Sequence, residues 1–269
     1  MSQLNVGTLN VGTTQFSGDN TTLSTAPATS LTEFMSGVPA ANQVVMWDGS
    51  NWVPAAMGGR FLGMNVYTSQ NGTATSVSSS GGSGTWTKPA GCNNVLVYVT
   101  GGGGGARVND NNYRGAGGGA GATAIKYIDV SGTSSVTATY GGGGSYARNG
   151  GRGGAGGTSS FGSYCTATGG QGGYTDNPYE GGRGGDASGG DMNISGGGGE
   201  MSHGSSREGC SGSSFWHKAG SNHHNSSDGA TNTHGQWGSG GAYGYYSQNG
   251  HAHNNGYGGA GVVVVYNYS

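Results

Sequence analysis

All seven histidines of the chain fall between His203 and His253. They are His203, His217, His223, His224, His234, His251 and His253, and Trp216, Trp237, Tyr243, Tyr245, Tyr246 and Tyr257 are interleaved with them. Aromatic rings stack on the C–H faces of sugars, while His, Asn and Ser both donate and accept hydrogen bonds. Trp216, His217, His223, His224, His234, Trp237, Tyr243, Tyr245, Tyr246 and Tyr257 are therefore candidate contacts to a neutral glycan or protein surface. The alternative is that the rings only cover a body with few side chains of its own.

His251-Ala-His253 is a sharper pattern. On an extended chain, residues i and i+2 point to the same side. Three copies around a threefold axis would present six imidazoles, a set suited to a borderline metal such as iron or nickel. The alternative is a pair of solvated or hydrogen-bonded histidines, and no other cofactor is indicated. Gly181-Gly-Arg-Gly-Gly-Asp186 is similar to the start of a calcium-binding nonapeptide repeat, but Ser188 holds the later apolar position and no tandem copy follows.

Glycoside cleavage needs two carboxylates at a defined separation. Asp176, Glu180, Asp186 and Asp191 are available, but nothing marks a pair, so the chain reads as non-enzymatic. Arg152-Gly-Gly and Arg183-Gly-Gly are similar to RNA-binding segments. Ten basic residues against twelve acidic ones, with a net charge of −2, leave no drive to neutralise phosphates. Nucleic acid is excluded as a partner on that ground.

What must position these side chains is the stretch Gly101 to Gly261, which holds most of the 64 glycines. Ordering a residue costs roughly 1–2 kcal/mol of backbone entropy, and glycine has no side chain to bury in return. Composition alone allows a flexible linker. Collagen is excluded, because there is no triplet period and the chain has 5 prolines. The local pattern is Gly-Gly-x-Gly-Gly, as at Gly153–Gly157, Gly169–Gly173 and Gly181–Gly185. Such segments can run as three-residue-per-turn, polyglycine-II-like helices that pair their amides with neighbours. Stacking them would make a body bonded through its backbone.

Strands are predicted at Phe61–Tyr67, Val95–Thr100, Ala122–Val130, Val136–Tyr140, Ser160–Phe161, Tyr164–Thr168 and Val262–Tyr268. Asp48-Gly49 between Trp47 and Trp52 predicts a hairpin over Gln43–Pro54 with the tryptophans as a clasp. The tandem Leu4–Thr8 and Leu9–Thr13 repeats read as short strand-and-bend units, and Ser30-Leu-Thr-Glu33 as a capping box opening a short helix that ends near Gly37. Ser76–Gly84 reads as a linker. Cys92, Cys165 and Cys210 lack framework or zinc spacing, so buried thiols are expected. The start, Met1-Ser-Gln-Leu-Asn-Val6, is not a signal peptide, and no apolar run is long enough to span a membrane.

Gly84-Thr-Trp-Thr-Lys-Pro-Ala-Gly91, followed by Val95–Thr100 and polyglycine, resembles the opening of the glycine-rich domain of phage tail fibres and tail-tip adhesins. Ala122–Val130, Ser159–Gly162, Ala167–Gly173, Gly189–Gly198 and the valine-rich last strand match in order. The resemblance covers residues 40 to 269; Met201 to Asn255, rich in His and aromatics, departs from it.

It implies an all-β virion subunit, a homotrimer, made in the host cytoplasm and released by lysis. Residues 1–29 would be a repeat and attachment segment contacting other tail or baseplate proteins. Residues 30–83 would carry the short helix, the Trp hairpin and a linker. Residues 84–269 would form a β-sandwich-like glycine-rich domain with stacked polyglycine-II-like segments. Its distal loops, 201–255, would touch a host surface glycan or outer-membrane protein. A purely structural fibre or baseplate part, and a polysaccharide-cleaving tailspike, are the alternatives.

Overall fold

In Asn94–Thr100 every second residue is a valine, and Val95, Val97 and Val99 are fully buried while Leu96 and Tyr98 between them are half-exposed. This period of two is the mark of a strand with one face on a core. In chain order the strands are β1 (Leu9–Val11), β2 (Thr14–Phe16), β3 (Gln43–Trp47), β4 (Trp52–Ala56), β5 (Phe61–Tyr67), β6 (Gly82–Thr87), β7 (Asn94–Thr100), β8 (Thr123–Asp129), β9 (Ser135–Tyr140), β10 (Ser159–Phe161), β11 (Cys165–Ala167), β12 (Ala187–Ser188), β13 (Met192–Ile194) and β14 (Val262–Tyr268). The computed structural model describes residues 9–11, 14–16, 43–56, 58–70, 80–107, 115–147, 151–174, 181–200, 210–218, 235–242 and 256–269. Among them there is no helix, and every paired strand is antiparallel, so the fold is all-β. The short helix expected after Ser30 and the first copy of the N-terminal repeat lie outside the described residues.

The chain divides into residues 1–58 and 59–269. In the first unit β1 pairs with β2, and β3 pairs with β4 around the Asp48-Gly49 turn. The Asp48 carboxylate accepts the backbone N–H groups of Ser50 (2.8 Å) and Asn51 (2.7 Å), and these bonds, that of Asn51 foremost, hold its pKa below the usual value. Trp47 and Trp52 face each other across the pair with ring centroids 5.6 Å apart, as the clasp reading expected.

In the second unit two five-stranded sheets, ordered β12-β11-β10-β9-β6 and β13-β8-β7-β14-β5, close on one apolar core. Trp86, Phe161, Val95, Val97, Val99, Val263 and Val265 form its centre. Trp86 meets Phe161 edge-on at 5.9 Å, the arrangement that ring quadrupoles favour. Phe61–Tyr67 is the edge strand of the second sheet, bonded to β14. Strand β6 starts at Gly82, inside the stretch read as a linker.

The strands run on into glycine-rich segments at 101–107, 115–122, 141–147, 151–157, 168–173, 181–186, 195–200, 210–214, 235–242 and 256–261. Their backbone pairing repeats every three residues. The N–H groups of Gly101, Gly104 and Arg107 reach the carbonyls of Ala122, Gly119 and Ala116. Those of Gly102 and Gly105 reach Gly157 and Gly154, and those of Gly103 and Ala106 reach Gly259 and Gly256. The carbonyls of 102–106 in turn accept from 170–173, 144–147 and 241. One segment thus touches six neighbours and satisfies its amides without a side chain.

The approach is too close for anything larger. A Cβ added to Gly103 would fall on the carbonyl oxygen of Ser239, and one on Gly104 on that of Gln171. Ser159 seals the junction with the sandwich: its buried hydroxyl donates to the Thr100 carbonyl (2.7 Å) and accepts from Gly141 N–H (2.9 Å).

Candidate functional site

Four of the candidate contact residues are described, and they fall at two ends of the glycine stack. Trp216, His217 and Trp237 gather beside the sandwich. The Trp216 indole N–H donates to Thr100 Oγ1 at 2.9 Å, and its ring lies 5.5 Å from that of Tyr98. Phe215 packs on both, at 5.7 Å from Tyr98 and 5.0 Å from Trp216. One hydroxyl organises the turn: Ser214 Oγ accepts the backbone N–H groups of Trp216 (3.3 Å) and His217 (3.1 Å) and donates to the Trp237 carbonyl (2.8 Å). His217 Nδ1 lies 3.3 Å from Ser239 Oγ.

Trp237 has φ of 39°, the one non-glycine residue among those described with a left-handed backbone. For an L-residue this costs about 1–2 kcal/mol. The surroundings hold it there: Gln70 Oε1 accepts its N–H at 2.9 Å, while Gln70 Nε2 donates to the Gly235 carbonyl at 3.3 Å. Its side chain is 36% exposed. A bulky residue held in a strained backbone with its ring open to solvent is a candidate for contact.

Tyr257 lies at the other end. Its ring meets Tyr146 edge-on at 5.0 Å. There Arg107 bridges both Ala116 and Ala147, Ala106 N–H bonds Gly256, and Glu200 N–H bonds Cys210. These contacts bring together the described residues flanking the connections 108–114, 148–150, 201–209 and 243–255. Six residue steps separate Gly101 from Arg107, so the two ends stand roughly 19 Å apart at about 3.1 Å per residue.

The chemistry at this second end is distinct. The Arg152 guanidinium carbon lies 5.5 Å from the Tyr174 ring centroid, and its Nη2 donates to Gln171 Oε1 at 2.7 Å. Arg107 is 8% exposed, and its Nε and Nη1 have no hydrogen-bond partner among the described residues. A buried guanidinium in that state can take a carboxylate or another anion.

His223, His224, His234, Tyr243, Tyr245, Tyr246, His251 and His253 lie outside the described residues, as do Asp176 and Glu180. Among the described residues no group of three or more His, Cys, Asp or Glu side chains could hold a metal, and no helix is long and apolar enough to cross a membrane. The Asp186 carbonyl accepts Thr168 N–H at 2.8 Å, placing that residue's backbone in the stack. The Asp191 carboxylate accepts Tyr127 N–H at 2.8 Å and sits 3.5 Å from Lys126 Nζ. Chiefly the Tyr127 bond, then Lys126, holds its pKa below the usual carboxylate range. Cys92 and Cys165 are buried and Cys210 half-buried; burial pushes the Cys165 thiol up to about 11.

The sequence reading missed Gln70, Tyr98, Phe215 and Arg107. Phe215 directly precedes Trp216, so an aromatic count over 201–255 could have included it. Nothing local marks Gln70, which acts from 167 residues away along the chain.

No curated protein matches the chain. A family model described as "Glycine-rich domain" matches residues 75–268. The match takes in strands β6 to β14 and all the glycine segments that they carry, and the chain belongs to this glycine-rich domain family.

Proposed function

We propose that the chain is a subunit of a phage tail fibre or tail-tip adhesin that attaches the particle to the host surface. The observation that carries this reading is that the described residues flanking four connections meet at one end of a backbone-bonded body, about 19 Å from the sandwich at 3.1 Å per residue. Connections fixed at their roots by main-chain bonds give a contact surface that loses less entropy on binding than free ones would. The His- and aromatic-rich residues of 201–255 supply stacking and hydrogen bonds to a sugar or a protein, Trp216, His217 and Trp237 doing so from the sandwich end.

The N-terminal residues join the subunit to other tail proteins, and three copies turn weak single contacts into avidity. The function is binding without turnover. The test is competition: the full-length chain, added at micromolar concentration to host cells, should block adsorption of the phage that encodes it. Adsorption that proceeds unchanged would favour a purely structural fibre part. Release of sugar fragments from host polysaccharide would favour the tailspike reading.

A further inference from the structure

Arg107 ends the 101–107 segment, which six neighbouring segments surround. It therefore stands at the middle of the far end of the stack. Three tyrosines stand around it, each one residue away from a backbone neighbour of this stretch. Tyr146 precedes Ala147, which bridges Arg107. Tyr174 follows Gly173, where an added Cβ would come within 3.1 Å of the Arg107 nitrogen. Tyr257 follows Gly256, whose carbonyl accepts Ala106 N–H at 2.7 Å. All three tyrosines are half-buried.

The charge at this point is uncompensated. Arg107 is buried, and its Nε, with one N–H, and Nη1, with two, meet no acceptor among the described residues. Among those residues the one ion pair is Lys126 with Asp191, on the sandwich. Glu200 is the one described carboxylate at the far end, and it is exposed. Arg152, next to Gly153 and the Gly173 carbonyl, is held by Gln171 and the Tyr174 ring, both neutral. A guanidinium taken out of water is costly unless an anion meets it.

We infer that Arg107 receives the carboxylate of an acidic sugar, with Tyr146, Tyr174 and Tyr257 around the sugar ring. A carboxylate brings one negative charge to one buried cation, whereas a phosphate monoester brings nearly two. Tyrosine rings offer faces to the C–H groups of a sugar and hydroxyls to its hydroxyls. An acidic peptide would need free main-chain partners, and the N–H groups of Gly105, Ala106 and Arg107 already go to Gly154, Gly256 and Ala116. A net charge of −2 pointed to a neutral partner. A single buried cation narrows that to a partner with one acid group at the contact. The inference rests on the attachment reading for the source of its ligand, the host surface, but is tested by a separate measurement.

The experiment is calorimetric titration of the full-length chain with glucuronate, glucose and glucose 6-phosphate at equal ionic strength. Glucuronate should bind at least tenfold more tightly than either of the others. Arg107→Met, uncharged and of similar length, should weaken glucuronate at least tenfold. Arg60→Gln, at an exposed position of the sandwich, is the control and should leave it unchanged. Because Met removes an unpaired buried charge, the Arg107→Met chain should melt no lower than the wild type. A variant that melts several degrees lower overturns the inference, since the guanidinium would then already be paired within the chain. So does a wild type that binds glucuronate no better than glucose, or glucose 6-phosphate better than both. Glucuronate binding without attachment to cells would defeat the attachment reading and leave this site standing. Attachment without a preference for glucuronate would do the reverse.

Discussion

The indole N–H of Trp86, on β6, donates to the side-chain carbonyl of Asn267, on β14, at 2.9 Å, and the bond joins the two sheets through the core. The Asn267 amide nitrogen donates in turn to the Gly63 carbonyl (3.0 Å) and to Asn65 Oδ1 (2.9 Å). Both residues are buried, so each polar atom needs its partner. Asn267→Ala strands the indole N–H and should cost about 2–3 kcal/mol in urea unfolding. The double variant with Trp86→Phe should lose less than the sum of the two single losses, since the pair acts as a unit. Simple additivity would mean that the bond contributes nothing.

Close backbone approach makes a second prediction. Gly103→Ala forces a methyl onto the Ser239 carbonyl, and overpacking of this kind costs about 1–3 kcal/mol or more. Gly132→Ala meets nothing within 4 Å and should be neutral or stabilising, by about 0.4–1 kcal/mol. Melting temperatures of the two variants should move in opposite directions or differ by several degrees. Equal shifts would mean that the stack has room to spare.

Acid should loosen the β13 edge before the core. Asp191 is held below its usual pKa by Tyr127 N–H first and Lys126 second. A lowered folded value means that its contribution is fully present above the unfolded value of about 3.9 and is lost as pH falls through the folded one. Amide exchange at Tyr127 should therefore accelerate, beyond its intrinsic pH dependence, as pH drops through that window. Asp191→Asn should remove the extra acceleration.

The strained tryptophan separates stability from contact. Trp237→Gly relieves a left-handed backbone of about 1–2 kcal/mol while adding glycine's entropy cost of about 0.5–1 kcal/mol, so stability should barely change. If the ring touches the host surface, cell attachment should fall at least tenfold. A variant that folds and attaches normally would remove Trp237 from the contact set.

The buried thiol is a further check. With its pKa raised to about 11 by burial, Cys165 should resist iodoacetamide at pH 8 in the folded chain and react readily once the chain is unfolded in urea.

The sequence by itself determined the parts that side chains encode. Alternating valines at 95, 97 and 99 made β7, because apolar residues at period two bury one face of a strand, and the β-branched Val262–Val265 run made β14, whose valines are buried on both faces. Asp48-Gly49 made the hairpin because the carboxylate caps the turn and Gly49 takes φ of 102°. Strand β6 was illegible, since Gly82-Ser-Gly-Thr-Trp-Thr87 has the composition of a linker. Its one informative residue, Trp86, pairs with Asn267, 181 positions away.

The partners of each glycine segment were decided only by the tertiary structure. Gly102, Gly103 and Gly104 are identical in the sequence, yet their N–H groups go to Gly157, Gly259 and Gly119. A glycine amide carries no label, so neighbours are assigned by the strands that feed the segments and by the three-residue turn between successive amides. For the same reason Trp216 and Trp237 reached one end of the stack and Tyr257 the other, although all three lie in one stretch of chain. The sequence fixes how often a ring occurs; the up-and-down course of the backbone fixes which ring has company.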